Sequence, residues 1–184
     1  AQFVLYTTWV LYTTFKFGWS PTENGWSLFV VGVVSSLVQG LLLGRLLKRF
    51  SPERLAVAGL VSSTLAYLGY GLAPNGWVMV AIVAVNILGF TVAASIQSIV
   101  SGSADGSAQG RTLGAVAGLQ SLMAVLAPLV GAPLLGLVSH LPRGDWRIGA
   151  PFFFCAALQA TALLLAVLHF RRAPARPAPA AAHA

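Results

Sequence analysis

The chain has 184 residues, of which 57% are hydrophobic and only 8% are charged, and its mean hydropathy is +0.81. Soluble domains carry about a quarter charged residues, so a chain this poor in charge cannot cover a water-facing surface. The net charge of +7 does not indicate a nucleic acid partner, because the basic residues lie in short clusters between apolar runs. The composition therefore predicts an all-α integral membrane protein in contact with a lipid bilayer.

Apolar runs near 20 residues long recur along the chain, and each is long enough to cross a bilayer core of about 30 Å. The runs are apolar on all sides and do not alternate with polar residues, which favours helices over barrel strands. Six spans are predicted, at about 2–17, 24–47, 55–73, 77–100, 112–141 and 149–170, which together form one six-helix transmembrane bundle over 1–170. The proline- and alanine-rich residues 171–184 are expected to form a disordered tail.

The basic residues predict the orientation of the bundle in the membrane. If the first span starts in the cytoplasm, most of the 11 Lys and Arg residues lie on the cytoplasmic side. These residues are Arg45, Lys48, Arg49, Arg54, Arg111, Arg171, Arg172 and Arg176. The positive-inside rule then places both termini in the cytoplasm.

Acidic residues are absent from the predicted spans, since Glu23, Glu53, Asp105 and Asp145 all fall in the connecting loops. Intramembrane carboxylates are the usual proton carriers of pumps and exchangers. Any carboxylate that couples transport to protons is therefore expected outside this segment, unless coupling uses another group.

Three primary amides lie at depth in the predicted spans, at Gln39, Asn86 and Gln120. One interpretation is hydrogen bonding between helices, worth about 0.6 kcal/mol for each bond on average. The other is a substrate cavity, because an amide facing lipid without partners is costly. Together with Trp9 and Tyr12, whose rings can stack on a flat or cationic ligand, these amides are the candidate cavity residues.

Small residues and prolines mark the fifth predicted span. Gly110, Gly114 and Gly118 recur every four residues and allow close approach of a neighbouring helix. Pro128 and Pro133 weaken the backbone hydrogen bonding of the same span and favour a bend. The bend is either a static kink or a hinge for alternating access.

Neither catalytic chemistry nor a metal is indicated. The single cysteine, Cys155, lies in an apolar run, and His140, His169 and His183 have no ligand spacing among them. No nucleophile motif of the Gly-x-Ser-x-Gly type and no phosphate-binding loop occurs. The chain is therefore not expected to be an enzyme, to bind a metal or to need a cofactor.

Three blocks of residues carry a family resemblance. In the second block, the loop 44–54, residues Gly44, Arg49 and Arg54 match the pattern Gly-x-x-x-(D/E)-R-x-G-R-(R/K), although Lys48 replaces an acid and Ser51 replaces a glycine. The first block is Trp9, Thr13, Phe17, Gly18, Trp19, Gly25, Ser27, Leu28, Gly32, Gln39 and Gly44. The third block is Gln97, Asp105, Gln109, Gly110, Gly114, Leu119, Ser121, Leu122, Pro128 and Leu129.

These blocks resemble the C-terminal six-helix half of the tetracycline-efflux branch of the major facilitator superfamily. The resemblance runs from about Trp9 to Leu129 and implies proton-coupled efflux of a drug or other small molecule across a bacterial inner membrane. It also implies a partner, the N-terminal half of the same transporter, and a cytoplasmic loop motif that latches one conformation. The sequence departs from that branch where Ser63 stands in place of an aspartate, so the substrate stays open.

Other interpretations remain at this point. The chain could be a non-transporting six-span membrane subunit or a degenerate half-transporter, and the lack of intramembrane acids is compatible with both. A half-transporter that associates with a second copy is a third alternative. A lone half should expose its cavity face and aggregate, whereas a subunit should be stable and inert.

Overall fold

The structure is a computed structural model that describes residues 1–102 and 109–172, and this part of the chain is helical without strands. Its eight α-helices are α1 Gln2–Phe17, α2 Pro21–Leu37, α3 Leu43–Arg49, α4 Pro52–Leu72, α5 Gly76–Val85, α6 Val92–Ser101, α7 Gln109–Val138 and α8 Ala150–Arg172. The predicted tail beyond Arg172 and the loop residue Asp105 lie outside the described residues.

The turn between α1 and α2 is built from strong local signals. α1 ends at Gly18, which adopts the left-handed conformation (φ 70°) and donates its N–H to the Thr14 carbonyl oxygen. Ser20 and Glu23 form a reciprocal capping box at the start of α2, and Pro21 occupies the first helical position. The chain therefore reverses within three residues.

The second predicted span is one continuous helical stretch. α2 passes through a π-helical segment, Val38–Leu42, into α3, so that Pro21–Arg49 covers 29 residues. Ser51 then caps α4 by accepting the backbone N–H of Arg54, and Pro52 stands in the first turn. The loop that carries the basic residues is therefore short.

The fourth predicted span is broken, whereas the sequence predicts one uninterrupted helix over 77–100. α5 ends at Val85, a 3₁₀ segment follows at Leu88–Thr91, and the two halves of the span meet at 56°. The Asn86 side chain accepts a hydrogen bond from Ser62 at the break. The break depends on that contact with another helix, which the apolar pattern of the span does not encode.

Four helical stretches are long and apolar enough to cross a membrane: Pro21–Arg49, Pro52–Leu72, Gln109–Val138 and Trp146–Arg172. The bent pair Gly76–Val85 and Leu88–Ser101 makes a fifth if it counts as one span. α1 coincides with the first predicted span but has only 16 residues.

The core lies where α4 packs against α6 and α8, and side chains of α1 complete it. Four buried aromatic side chains meet edge to face there, with Trp9 5.5 Å from Tyr70 and Tyr12 4.4 Å from Phe152 between ring centroids. The long helices at the margin are much less covered. Half of the most apolar window of Pro52–Leu72 is buried, against 11% for Pro21–Arg49 and 17% for Gln109–Val138.

Candidate substrate cavity

A cavity of about 380 Å³ lies among α1, α2, α4, α7, α8 and the broken α5–α6 span. Its volume is in the range of pockets that hold drug-sized molecules. Among the described residues that line it, none has an acidic, basic or histidine side chain. The cavity wall in this chain is therefore neutral and offers apolar, aromatic and amide groups.

Aromatic side chains form part of the cavity wall. Trp9 from α1 and Tyr67 and Tyr70 from α4 line it, with 5.5 Å between the centroids of Trp9 and Tyr70 and 6.1 Å between those of the two tyrosines. The Trp9 indole Nε1 donates to Ser27 Oγ at 3.0 Å, which fixes the ring. A rigid aromatic surface of this kind suits a planar ligand.

A polar group forms where the fourth span breaks. Asn86 lines the cavity beside Ser63 and Gly89, and its Oδ1 accepts a hydrogen bond from Ser62 Oγ at 2.8 Å. A Cβ atom on Gly89 would press on the Asn86 side chain and lie 2.6 Å from Ser63 Oγ, so glycine at this position leaves room for both side chains. The break thus carries an amide into the cavity at mid-span depth.

Besides Gln2 of α1, three further glutamines complete the polar lining. Gln97 comes from α6, Gln120 from α7 and Gln159 from α8, so the amides converge from three helices. Asn86 and Gln97 share the cavity with Phe90 and Ala93, as their helical spacing predicts despite the break. Such groups can orient a ligand through both donors and acceptors.

The structure brings together three of the five candidate cavity residues, Trp9, Asn86 and Gln120. Tyr12 is fully buried outside the cavity, donates to the Tyr70 carbonyl oxygen at 2.9 Å and accepts from Lys16 Nζ at 2.9 Å. Gln39 lies in the π-helical segment, exposed, and donates to Ser35 Oγ at 2.6 Å.

Several cavity residues are absent from the candidate set, among them Ser63, Tyr67 and Tyr70 of α4 and the amides Gln97 and Gln159. A signal was available, because Ser63, Tyr67 and Tyr70 follow i, i+4, i+7 spacing and therefore share one face of α4. The tyrosines resemble core residues in sequence, and their position at a cavity depends on the neighbouring helices.

The loop motif shows no charge latch in the described part of the chain. Arg49 ends α3 and Arg54 lies in the first turn of α4, and the one ion pair within residues 1–102 and 109–172 joins Arg147 to Asp145 at 2.7 Å. A Cβ atom on Gly44 would meet nothing within 4 Å.

Three glycines of α7 are open in the same way, whereas Gly131 packs against Thr8 of α1. Cβ atoms on Gly110, Gly114 and Gly118 would meet nothing within 4 Å, so no described helix packs on them. α7 continues as one α-helix through Pro128 and Pro133.

The Major Facilitator Superfamily model matches residues 1–184. This chain belongs to the Major Facilitator Superfamily. As a member of this superfamily it is a multi-pass membrane protein. Its all-α bundle corresponds to half of the superfamily fold.

Relatives add detail to the superfamily assignment. The class D tetracycline resistance protein of Salmonella ordonez is 29% identical over 170 residues, which cover 92% of this chain and 41% of that protein. The class C tetracycline resistance protein of Escherichia coli is 29% identical over 146 residues, or 79% of this chain and 37% of that protein. Hippocampus abundant transcript 1 protein of Homo sapiens is 25% identical over 183 residues, and the match covers 88% of this chain and 37% of that protein.

This superfamily chain therefore spans about two fifths of the length of the curated relatives that it matches. No solved structure matches it significantly.

Proposed function

We propose that this chain is the C-terminal half of a secondary transporter that exports a drug or other small molecule. The observation that carries the proposal is the cavity of about 380 Å³, which is lined, among the described residues, by aromatic rings and by amides from several helices and by no charged side chain. Transporters of this kind hold the substrate near the membrane midplane between two helical bundles. The relatives named as tetracycline resistance proteins support export as the direction and a drug as the substrate class.

The N-terminal half of the same transporter is the partner that this proposal requires. α2, α3 and α7 bury little of their apolar surface, and the glycines Gly32, Gly40 and Gly114 have open space around them. A second bundle that packs on these helices would cover that surface and close the cavity. The missing bundle would also supply the carboxylate that carries the coupling proton.

Trp9, Asn86 and Gln120 are the proposed substrate contacts. Trp9 would stack on a ring of the ligand, while the two amides would pair with its hydroxyl and carbonyl groups. Tyr67 and Tyr70 extend the aromatic surface. In this proposal Pro128 and Pro133 supply the flexible part of α7. Gly44, Arg49 and Arg54 would latch the cytoplasmic side through partners outside the described residues, in a bacterial inner-membrane protein whose C-terminus is cytoplasmic.

The proposal is tested by measuring export from cells that express the full-length transporter. Asn86→Leu and Gln120→Leu should each raise intracellular accumulation of a substrate drug about tenfold, as expected for losing one well-formed polar contact to the ligand. Gln39→Leu is the matched control within this chain, since Gln39 is an amide within a span but does not itself line the cavity. Unchanged export in both cavity variants, at equal expression, would contradict the site and favour a non-transporting subunit.

A further inference from the structure

A second cavity of about 360 Å³ lies between α4 and α5, apart from the central one. Ser62, Leu65 and Ala66 of α4 line this second cavity, whereas Ser63 and Tyr67 of the same helix line the central cavity. At about 100° per residue these two sets occupy different faces of α4. We name this second cavity the α4–α5 crevice.

The α4–α5 crevice and the central cavity meet at Asn86, which lines both. The hydrogen bond of 2.8 Å from Ser62 Oγ to Asn86 Oδ1 joins a crevice residue on α4 to this shared residue. α5 ends at Val85, directly before it, where the span bends by 56°. A single hydrogen-bonded pair at the helix break thus lies between the two spaces.

The crevice lining is apolar apart from Ser62 and Asn86. Leu65 is 64% exposed and Val85 is 80% exposed, and both lie within the spans Pro52–Leu72 and Gly76–Ser101. Exposed leucine and valine side chains within such spans suit contact with hydrocarbon. Toward one end the crevice is closed by the contact of Gly69 with Ile82, where a Cβ atom on Gly69 would lie 2.9 Å from Ile82 Cδ1.

We propose that the α4–α5 crevice binds an uncharged amphiphile from the bilayer and is a side entrance to the central cavity. A hydroxyl or carbonyl group of the amphiphile would hydrogen-bond to Ser62 and Asn86, which offer both donors and acceptors. The apolar body of the molecule would lie among Leu65, Val78 and Val85. The entrance step rests on the proposed function, whereas binding in the crevice does not.

Photolabelling of the protein in lipid nanodiscs tests the binding step. The probe is a long-chain alcohol that bears a diazirine, and the matched control probe is the same chain without the hydroxyl group. We expect the alcohol to label peptides that contain Ser62–Ala66 and Val78–Asn86 about tenfold more than the exposed face of α8 around Leu164, since one hydrogen bond to a partly buried pair supports such a ratio. The alkane should label all lipid-facing helices evenly.

A variant pair on α5 locates the labelling. Ala81 lines the crevice and Ala84 does not, although both are exposed alanines of the same helix. Ala81→Trp fills the crevice and should remove most of the alcohol labelling, while Ala84→Trp should leave it unchanged. Even labelling by both probes, or an equal loss in both variants, would overturn the proposal.

Export measurements on the full-length transporter then test the entrance step. Ala81→Trp should slow export of a lipophilic drug loaded into the membrane, and Ala84→Trp should not. Normal export together with even photolabelling would refute the crevice and leave the proposed function standing. Labelling of the crevice in a transporter that shows no export would refute the proposed function and leave binding in the crevice standing.

Discussion

Glycine serves opposite purposes in two regions of this molecule. At the Gly71 junction, which comprises Tyr12, Lys16, Gly71 and Gly149, a Cβ atom on Gly149 would lie 2.5 Å from the Gly71 carbonyl oxygen and 2.7 Å from its Cα. On the open face of α7, a Cβ atom on Gly114 would meet nothing within 4 Å. The same residue type thus permits backbone contact within this bundle in one region and leaves a smooth, uncovered surface in the other.

The Gly71 junction holds three helices together through backbone groups. Lys16 Nζ, although buried, donates to Tyr12 Oη and to the Gly71 carbonyl oxygen, both at 2.9 Å, and Tyr12 Oη donates to the Tyr70 carbonyl oxygen. These contacts join the end of α1 to the end of α4, while Gly149 brings the segment before α8 against them. The comparison indicates that backbone contacts hold the ends of α1 and α4 and the segment before α8 together, whereas the Gly114 face of α7 is left open although α7 packs on α1 at Gly131.

The largest predicted effect is that of Gly149→Ala. The new methyl group would press on backbone atoms of Gly71, which cannot rotate away, so the variant should lose about 3 kcal/mol of stability. Thermal unfolding of the detergent-purified protein measures this loss. Gly144→Ala is the matched control, because a Cβ atom there meets nothing within 4 Å. Equal stability of the two variants would mean that the junction is not tightly packed.

Tyr12→Phe should have the next largest effect. It removes the hydroxyl group between Lys16 and Tyr70, and it leaves a buried carbonyl oxygen and a buried ammonium group each short of one partner. The expected cost is about 1–3 kcal/mol in the same unfolding measurement. Tyr6→Phe serves as the control, since the Tyr6 hydroxyl is exposed and accepts only from Gln2 Nε2. A Tyr12 variant as stable as the Tyr6 variant would contradict the proposed role of this hydrogen-bonded group.

Local signals made much of the fold predictable. The left-handed Gly18, the capping box of Ser20 and Glu23, and the Asn75 cap of α5 all lie within a few residues of the turns that they define. The break at Asn86 was not predictable in the same way. It rests on a hydrogen bond from Ser62, which is 24 residues away, and on the closeness of Gly89 to α4.

The candidate site was predictable in part, for a related reason. Polar residues within an apolar span are candidates for a cavity wall. Asn86 and Gln120 are two such residues, and both line the cavity. Tyr12 and Tyr70 are equally amphipathic, yet Tyr70 lines the cavity and Tyr12 does not. Which of two aromatic rings faces a cavity depends on the packing of helices that are distant in sequence, and a single sequence does not contain that information.

Gly114→Ala tests the open side of the comparison and should have a small effect of opposite sign. With no neighbour to clash, the substitution removes only the backbone freedom of glycine and should stabilise this chain by roughly 0.5–1 kcal/mol. The unfolding measurement used for Gly149→Ala checks this. If Gly114→Ala instead lowered the stability of this chain without its partner bundle, another part of the chain would have to pack against α7 at Gly114.

The smallest effect concerns the loop before α8, where Asp145 and Arg147 form an exposed ion pair at 2.7 Å. Hydrogen bonds from Arg147 lower the pKa of the Asp145 carboxyl group below its ordinary value. A lowered folded-state pKa stabilises the protein at pH values above the unfolded value of about 3.9, and the contribution is lost as the pH falls through the folded value.

Asp145→Asn keeps an acceptor for the Arg147 backbone N–H but removes the ion pair. At neutral pH the variant should therefore unfold at a slightly lower temperature than the parent, and the difference should shrink with added salt and disappear in acid. Thermal unfolding at several pH values and salt concentrations measures this. A loss as large as that of Gly149→Ala would mean that the loop ion pair, and not the backbone packing at Gly71, holds α8 against α4.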